Sequence, residues 1–126
     1  MISENTIFIN ADNSGARLIK CLKVIKDKKG KTNLGNFVKV SLKKYVNKKK
    51  LKKRSIYNGM PCFIRNACTR KDGLIVKGGS NKCLLFTEAY KFLGTRSKGL
   101  ILKDIRSNSL LFKVAAKIVK YHTNLV

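Results

Sequence analysis

The densest group of side chains able to do chemistry is a basic run, Lys43–Arg54, which contains seven lysines and one arginine. A lysine ammonium is a mobile, hydrated point charge suited to phosphate. A charge run is often only a solvated loop. In this run the embedded Tyr45, Val46 and Leu51 could anchor a basic hairpin to a core and leave the lysines free. We therefore predict phosphate contact here.

The chain as a whole is strongly cationic. Its 126 residues carry 29 Lys plus Arg against 6 Asp plus Glu, a net charge of +23. Such a charge repels itself unless a polyanion neutralises it, and nucleic acid is the abundant polyanion. An acidic membrane surface would favour a basic amphipathic helix with interfacial aromatics, yet the chain has no Trp and no long amphipathic stretch. Because lysine far outnumbers arginine, backbone binding is favoured over base readout.

No metal or catalytic site can be assembled from the remaining residue types. The four cysteines include no C-x-x-C pair, and His122 lies far from them in sequence. Beside apolar neighbours, Cys21, Cys62 and Cys83 are expected to be buried small hydrophobes. The six acids are scattered, and no glycine-rich phosphate loop is present. We predict no enzyme and no cofactor.

The elements that must position the basic residues are short strands. Phe37–Lys43 alternates, with Val38, Val40 and Leu42 on one face and polar side chains on the other, which predicts a half-buried antiparallel strand. A loop is expected at 27–36, and Pro61 is expected near the start of its strand. The other strand-like runs are 6–10, 18–26, 60–65, 74–77 and 83–86.

Turn signals separate these runs. Asp-Asn-Ser-Gly within Ala11–Arg17 is one, and the Asp-Gly of Arg70–Gly73 predicts a hairpin. Roughly five or six short strands at about ten-residue spacing predict a small closed barrel. In the tail, the apolar runs at 100–106 and 111–119 favour short helices, although a strand is also compatible with them. At 14.2 kDa, a single domain is expected.

The turn segment Ala11–Arg17 is followed by Lys-Cys-Leu-Lys-Val at 20–24. This pattern resembles the N-terminal signature of the universal ribosomal protein L-fourteen family of the large subunit. Departures include a missing proline in Ser97–Leu100 and a missing turn glycine in Lys52–Ser55, which are typical of a divergent organellar member. Further similar segments follow in the family's order: Leu34–Val38, Lys50–Lys53, Arg70–Gly73, Asn81–Leu85 and Gly94–Arg96.

The resemblance implies a mainly β fold, a five-stranded β-barrel with a projecting basic β-hairpin and small C-terminal helices. We expect the barrel to span about 1–95 and the helical segment about 96–126. The implied partners are large-subunit rRNA, the neighbouring ribosomal protein L-nineteen, small-subunit rRNA through intersubunit bridges, and the ribosome silencing factor that blocks subunit joining.

The candidate rRNA-binding residues are the cations of the basic run and five others at strand ends and turns. Asn13, Ser14 and Gly15 are interpreted as either a tight structural turn or an RNA contact. The cations are Arg17, Lys43, Lys44, Lys48, Lys49, Lys50, Lys52, Lys53, Arg54, Arg65, Arg70, Lys71 and Arg96.

Two other functions stay open on the sequence alone. A free single-stranded nucleic-acid module of OB type would need exposed aromatics, and Phe8, Phe37, Phe63 and Phe86 instead lie in strands. A basic membrane-surface protein would bind through the C-terminal apolar runs. The abundance of Lys, Asn and Ile, with no presequence-like start, leads us to expect synthesis inside a mitochondrion, with a plastid or an AT-rich bacterium as alternatives.

Overall fold

The computed structural model describes residues 2–25, 30–47, 51–105 and 126. Its described part is built from short strands, most of them matching the alternating or apolar runs of the sequence. The nine strands are β1 (Ile2–Ser3), β2 (Ile7–Asn10), β3 (Ala16–Val24), β4 (Lys31–Thr32), β5 (Val38–Tyr45), β6 (Ile56–Phe63), β7 (Cys68–Thr69), β8 (Ile75–Val76) and β9 (Lys82–Phe86).

Five of these strands close into a barrel in the order β2-β3-β5-β6-β9. Neighbouring pairs are antiparallel, except that β2 runs parallel to β9, with Ile9 opposite Lys82. The prediction of a small five-stranded barrel is confirmed. The predicted loop at 27–36 needs a correction, because Lys31–Thr32 forms β4 and pairs with β1.

The barrel interior is filled by the apolar faces that the alternation predicted. Val38 and Val40 of β5 are buried, and Leu42 packs against the same cluster. Lys39 and Ser41, which alternate with them, therefore face outward, since successive side chains of a strand point to opposite sides. This alternation fixes which face of β5 is available to a ligand.

Strands β6 and β9 are buried on both faces. Cys83 and Leu85 belong to the cluster inside the barrel, whereas Leu84 and Phe86 belong to a second cluster outside it. Ile101 and Ile105 complete that second cluster and cover the outer face of the two strands. Burial on both sides explains why the β9 sequence is a continuous apolar run rather than an alternating one.

Pro61 lies inside β6, not near its start as predicted. It is opposite Cys83 of β9, and its carbonyl accepts a hydrogen bond from Gly35 N at 3.2 Å. The β5–β6 ladder has already ended at the pair Val38–Gly59. Because the nitrogen and carbonyl of one strand residue point to the same side, the missing N–H removes no ladder bond to β9.

The Asp-Gly hairpin is confirmed by β7 and β8. Gly73 N donates to Arg70 O at 3.0 Å, and Arg70 N donates to Leu74 O at 2.8 Å. Gly73 has φ of 85°, a left-handed conformation that glycine adopts without steric cost.

Of the two predicted helical runs, 111–119 lies outside the described residues, and 100–104 of the other forms a turn and irregular structure rather than a helix. Nearby, Ser97 forms an isolated bridge with Asp12, and Leu102 N donates to Cys62 O at 3.1 Å. No helix in the described part of the chain is long and apolar enough to span a membrane.

Candidate nucleic-acid interface

The outer face of the β3–β5 ladder carries a row of cations, which we call the cationic stripe. Lys20 is opposite Ser41, and Lys23 is opposite Lys39, on the side turned away from the buried pair Cys21–Val40. The stripe consists of Arg17, Lys20, Lys23, Lys39, Lys43 and Lys44.

One end of the stripe forms an open depression of about 480 Å³. Arg17, Lys43 and Lys44 line it together with Tyr45 and Val46. The three cations are exposed, whereas Tyr45 packs against the barrel core. The depression therefore presents three positive charges around a floor fixed by the barrel, an arrangement suited to an anion.

A β-bulge brings Arg17 to this end. Ala16 is opposite Tyr45 and Leu18 is opposite Lys44, so Arg17 is the extra residue of β3. Gly15 precedes the bulge with φ of 102°, and its carbonyl accepts a hydrogen bond from Val46 N at 2.9 Å. Bulges re-aim a side chain relative to the regular ladder, and this one sets Arg17 beside two lysines of the neighbouring strand.

At the other end, Lys23 and Lys39 face each other across the ladder. Like charges in directly opposite positions repel and are destabilising. Among the described residues, no carboxylate forms an ion pair with any member of the stripe, whereas Arg70 pairs with Asp104 away from it. An anion from outside the chain would relieve this repulsion.

The turn that leads into β3 is locked to the segment at 94–97. Asn13 Oδ1 accepts hydrogen bonds from Thr95 N at 2.8 Å and Arg96 N at 3.1 Å, and Asn13 Nδ2 donates to Thr95 Oγ1 at 2.9 Å. Asn13 N in turn donates to Arg96 O at 3.1 Å. These bonds fix the backbone at Arg96 relative to the turn that precedes the bulge.

Asp12 holds the same turn from inside. Its side chain is buried; Oδ1 accepts from Asn10 Nδ2 at 2.6 Å, from Ser14 N at 2.9 Å and from the Ser14 hydroxyl. Oδ2 accepts from Leu85 N of β9 at 3.1 Å. Asn13 and Ser14 thus make the hydrogen bonds of a structural turn, and whether they also contact RNA stays a prediction.

The comparisons with known proteins match this chain over nearly all its length. Residues 1–120 match the family described as Ribosomal protein L14p/L23e. The chain belongs to this ribosomal protein family. It is also 30% identical over 127 residues to the large ribosomal subunit protein uL14 of Carsonella ruddii (strain PV), covering 100% of both chains. These two matches support a structural rather than an enzymatic role, in the large ribosomal subunit.

The basic hairpin is predicted for the segment that joins β5 to β6, but the pairing of these strands stops at Ser41–Ile56, and the described residues of the segment, 46–47 and 51–55, form no strand. Lys52, Lys53 and Arg54 are exposed, and the predicted anchor Leu51 is buried. Lys52 N donates to the Tyr57 hydroxyl at 3.0 Å, which ties the segment to β6. The predicted contacts Lys48, Lys49 and Lys50 lie outside the described residues.

One detail of the predicted anchoring differs from the structure. Val46 is 42% exposed and lines the depression rather than the core, because it lies just beyond Tyr45, the last residue of β5. Tyr45 does pack against the core, as predicted.

The remaining predicted cations belong to neither β3 nor β5 and are therefore not part of the cationic stripe. Arg65, Lys71 and Arg96 are exposed. Arg70 is engaged within the chain, since its Nε donates to Asp104 Oδ2 at 3.0 Å and a terminal nitrogen donates to Val126 O at 2.7 Å. Its side chain is only 10% exposed, so it has little surface to offer a phosphate.

The sequence prediction missed three members of the stripe, Lys20, Lys23 and Lys39. Lys39 shares its outward face with Lys43 in the alternation of β5, so that signal was present in the sequence. Lys20 and Lys23 could not be assigned to the same face, because a second bulge between Cys21 and Lys23 shifts the register of β3.

The buried cysteines are confirmed as core residues. Cys21, Cys62 and Cys83 are free and buried, and Cys68 is half-buried. Burial raises the pKa of the Cys62 thiol to about 12 and also raises the pKa of Cys21 and of Cys83. These thiols stay protonated at neutral pH, which disfavours both metal ligation and nucleophilic reactivity.

The aromatic residues also lie mainly inside. Phe8, Phe37 and Phe86 are buried, and Phe63 packs against the core, as predicted. Of the described aromatics only Tyr90 is exposed, at 39%, and its ring contacts that of Phe37. The described surface therefore lacks the row of aromatic platforms on which a single-stranded OB module stacks bases.

Proposed function

We propose that this ribosomal protein binds large-subunit rRNA through the cationic stripe. The observation that carries the proposal is six cations on one face of a rigid ladder, none paired with a described acid. Each lysine or arginine that neutralises a phosphate releases condensed counterions, which drives binding without reading sequence. The barrel contributes rigidity, so the bound phosphates are held at fixed positions.

The exposed cations outside the stripe would extend this contact to further rRNA segments. The best candidates for such contacts are three consecutive exposed cations on the segment between β5 and β6: Lys52, Lys53 and Arg54. Further exposed candidates are Arg65, Lys71 and Arg96. The resemblance to the family further supports a position at the subunit interface. There it would contact ribosomal protein L-nineteen, small-subunit rRNA through intersubunit bridges, and the ribosome silencing factor.

For the compartment, we propose the mitochondrial ribosome, supported by the abundance of Lys, Asn and Ile. The alternatives are a plastid and a bacterial cytoplasm, and the relative in Carsonella ruddii supports the second of these. Immunodetection of this chain in purified mitochondria, in purified plastids and in bacterial cells separates the three.

Sedimentation tests the ribosomal proposal. Lysate is run through sucrose gradients at low and at high salt, and this chain is followed by immunodetection. We expect the chain to sediment with the large subunit at low salt and to leave it only as salt rises, because phosphate contacts weaken with ionic strength. A chain that stays at the top of the gradient at low salt would contradict the proposal.

A further inference from the structure

We propose that the cationic stripe binds the backbone of double-stranded RNA and engages it at both ends. This inference rests on the proposed rRNA binding and adds the form of RNA that the stripe selects. It is carried by the arrangement of charge on the β3–β5 ladder, by what borders that ladder, and by the scarcity of exposed aromatics in the described part.

The two ends of the stripe are held at a fixed separation. Lys39 marks one end and Lys44 the other, five residues apart on β5; this is at most about 17 Å at the rise of an antiparallel strand, because a register shift between Leu42 and Lys44 shortens the span. Both ends are paired to β3, at Lys23 and at Leu18. A rigid ligand can meet two fixed anchors without losing conformational entropy, whereas a flexible single strand must be ordered to do so.

The side chains in the middle of the stripe suit contacts with the sugar–phosphate backbone of RNA. Lys20 is opposite Ser41, and both are half-buried on the outer face. An ammonium suits a phosphate, and a hydroxyl donates to or accepts from a ribose 2′-hydroxyl. Double-stranded RNA exposes these two groups across its shallow minor groove and hides its base edges in the deep one.

The borders of the stripe restrict how a nucleic acid lies on it. On the β2 side the outward residues are aliphatic, with Ile7 opposite Lys20 and Ile9 opposite Leu18. Ile7 is 52% exposed and offers no charge to a phosphate. On the β6 side, Ser41 is opposite Ile56, which is 51% exposed and also uncharged. The charges on these strands therefore favour a polyanion that lies along β3 and β5. A single strand would gain nothing from its bases there, because the aromatic that reaches the stripe, Tyr45, packs against the core.

Fluorescence anisotropy with the full chain tests the inference. The probes are a labelled RNA duplex of about 16 base pairs, the size of a shape-reading duplex site, one of its strands alone, and the DNA duplex of the same sequence. Titrations run between 50 and 200 mM KCl. We expect the RNA duplex to bind at least about tenfold more tightly than the single strand, and the DNA duplex to bind more weakly than the RNA duplex.

Paired variants test the two-ended contact. Lys43→Gln with Lys44→Gln removes one end, and Lys23→Gln with Lys39→Gln removes the other. Each pair should lower the slope of log K against log salt by about 1.5 to 2, which is the release of two phosphate contacts. The control, Lys77→Gln with Lys91→Gln, loses the same charge from exposed positions outside the stripe and should leave the slope unchanged.

Equal or tighter binding of the single strand would overturn the duplex assignment, and an unchanged slope for either pair would overturn the two-ended contact. Both results are distinct from failure of the proposed function. A chain that sediments with the large subunit yet prefers single strands keeps the rRNA role and loses this inference. A chain that binds no RNA and stays at the top of the gradient loses both.

Discussion

Replacing Asp12 by asparagine tests how firmly the turn before β3 is held. The substitution preserves shape but converts one acceptor oxygen into an NH₂ group. With the remaining oxygen facing Asn10 and Ser14, the new NH₂ faces Leu85 N, a donor that then has no acceptor. A buried unpaired N–H costs about 1–3 kcal/mol, and three charge-assisted bonds become neutral ones, at roughly 1 kcal/mol each. We expect a loss of about 4 to 6 kcal/mol in the free energy of unfolding.

The assay is urea unfolding followed by far-UV circular dichroism, with the midpoint and slope compared between variants. Asp72→Asn is the matched control, because it makes the same chemical change and the same change in net charge at an exposed position of the β7–β8 turn. A difference of under about 0.5 kcal/mol between the two variants, the range of ordinary surface substitutions, would refute the assignment of Asp12 as the residue that holds the turn.

Three further predictions concern packing, ionisation and charge. Gly78→Ala would place a Cβ against the Phe63 ring and 2.5 Å from Ile64 O, so we expect the free energy of unfolding, measured in urea, to fall by about 1–3 kcal/mol. The control Gly79→Ala has open space around the new Cβ and should leave stability nearly unchanged. The pKa of Cys62 is raised from 9.0 to about 12, so the free energy of unfolding should fall between pH 9 and 12, by up to about 1.4 kcal/mol per pH unit. The Cys62→Ala variant should show a smaller fall over this range, and an equal slope in both proteins would contradict the prediction. The net charge of +23 predicts that the melting temperature rises with KCl, and a lower value at high salt would contradict dominant self-repulsion.

Short sequence patterns correctly predicted those elements of the fold whose structure depends mainly on neighbouring residues. The alternation around Val38 and Val40 predicted the buried face of β5 because one side of that strand packs inside the barrel. The Asp-Gly pair predicted the β7–β8 hairpin because Gly73 supplies the positive φ that the turn needs. The two-residue strands β1 and β4 are too short to show a period, so their pairing could not be found this way.

The candidate site was predicted in part, because strand register decides which cations share a face. Arg17 and Lys44 are far apart in sequence, and only the bulge in β3 brings them to one depression. Arg70 was assigned to RNA by its basic turn, but Asp104, 34 residues away, pairs with it in the folded chain. Such long-range pairing leaves no local signal in the sequence.

The most direct test of the central claim is whether the stripe holds the chain on the ribosome. A triple variant with Lys20→Gln, Lys39→Gln and Lys43→Gln is compared in sucrose gradients with a charge-matched control. The control carries Lys77→Gln, Lys91→Gln and Lys103→Gln, all at exposed positions outside the stripe. The stripe variant should leave the large subunit at lower salt than the wild type, while the control behaves as the wild type does. Release of both variants at the same salt concentration would contradict the claim.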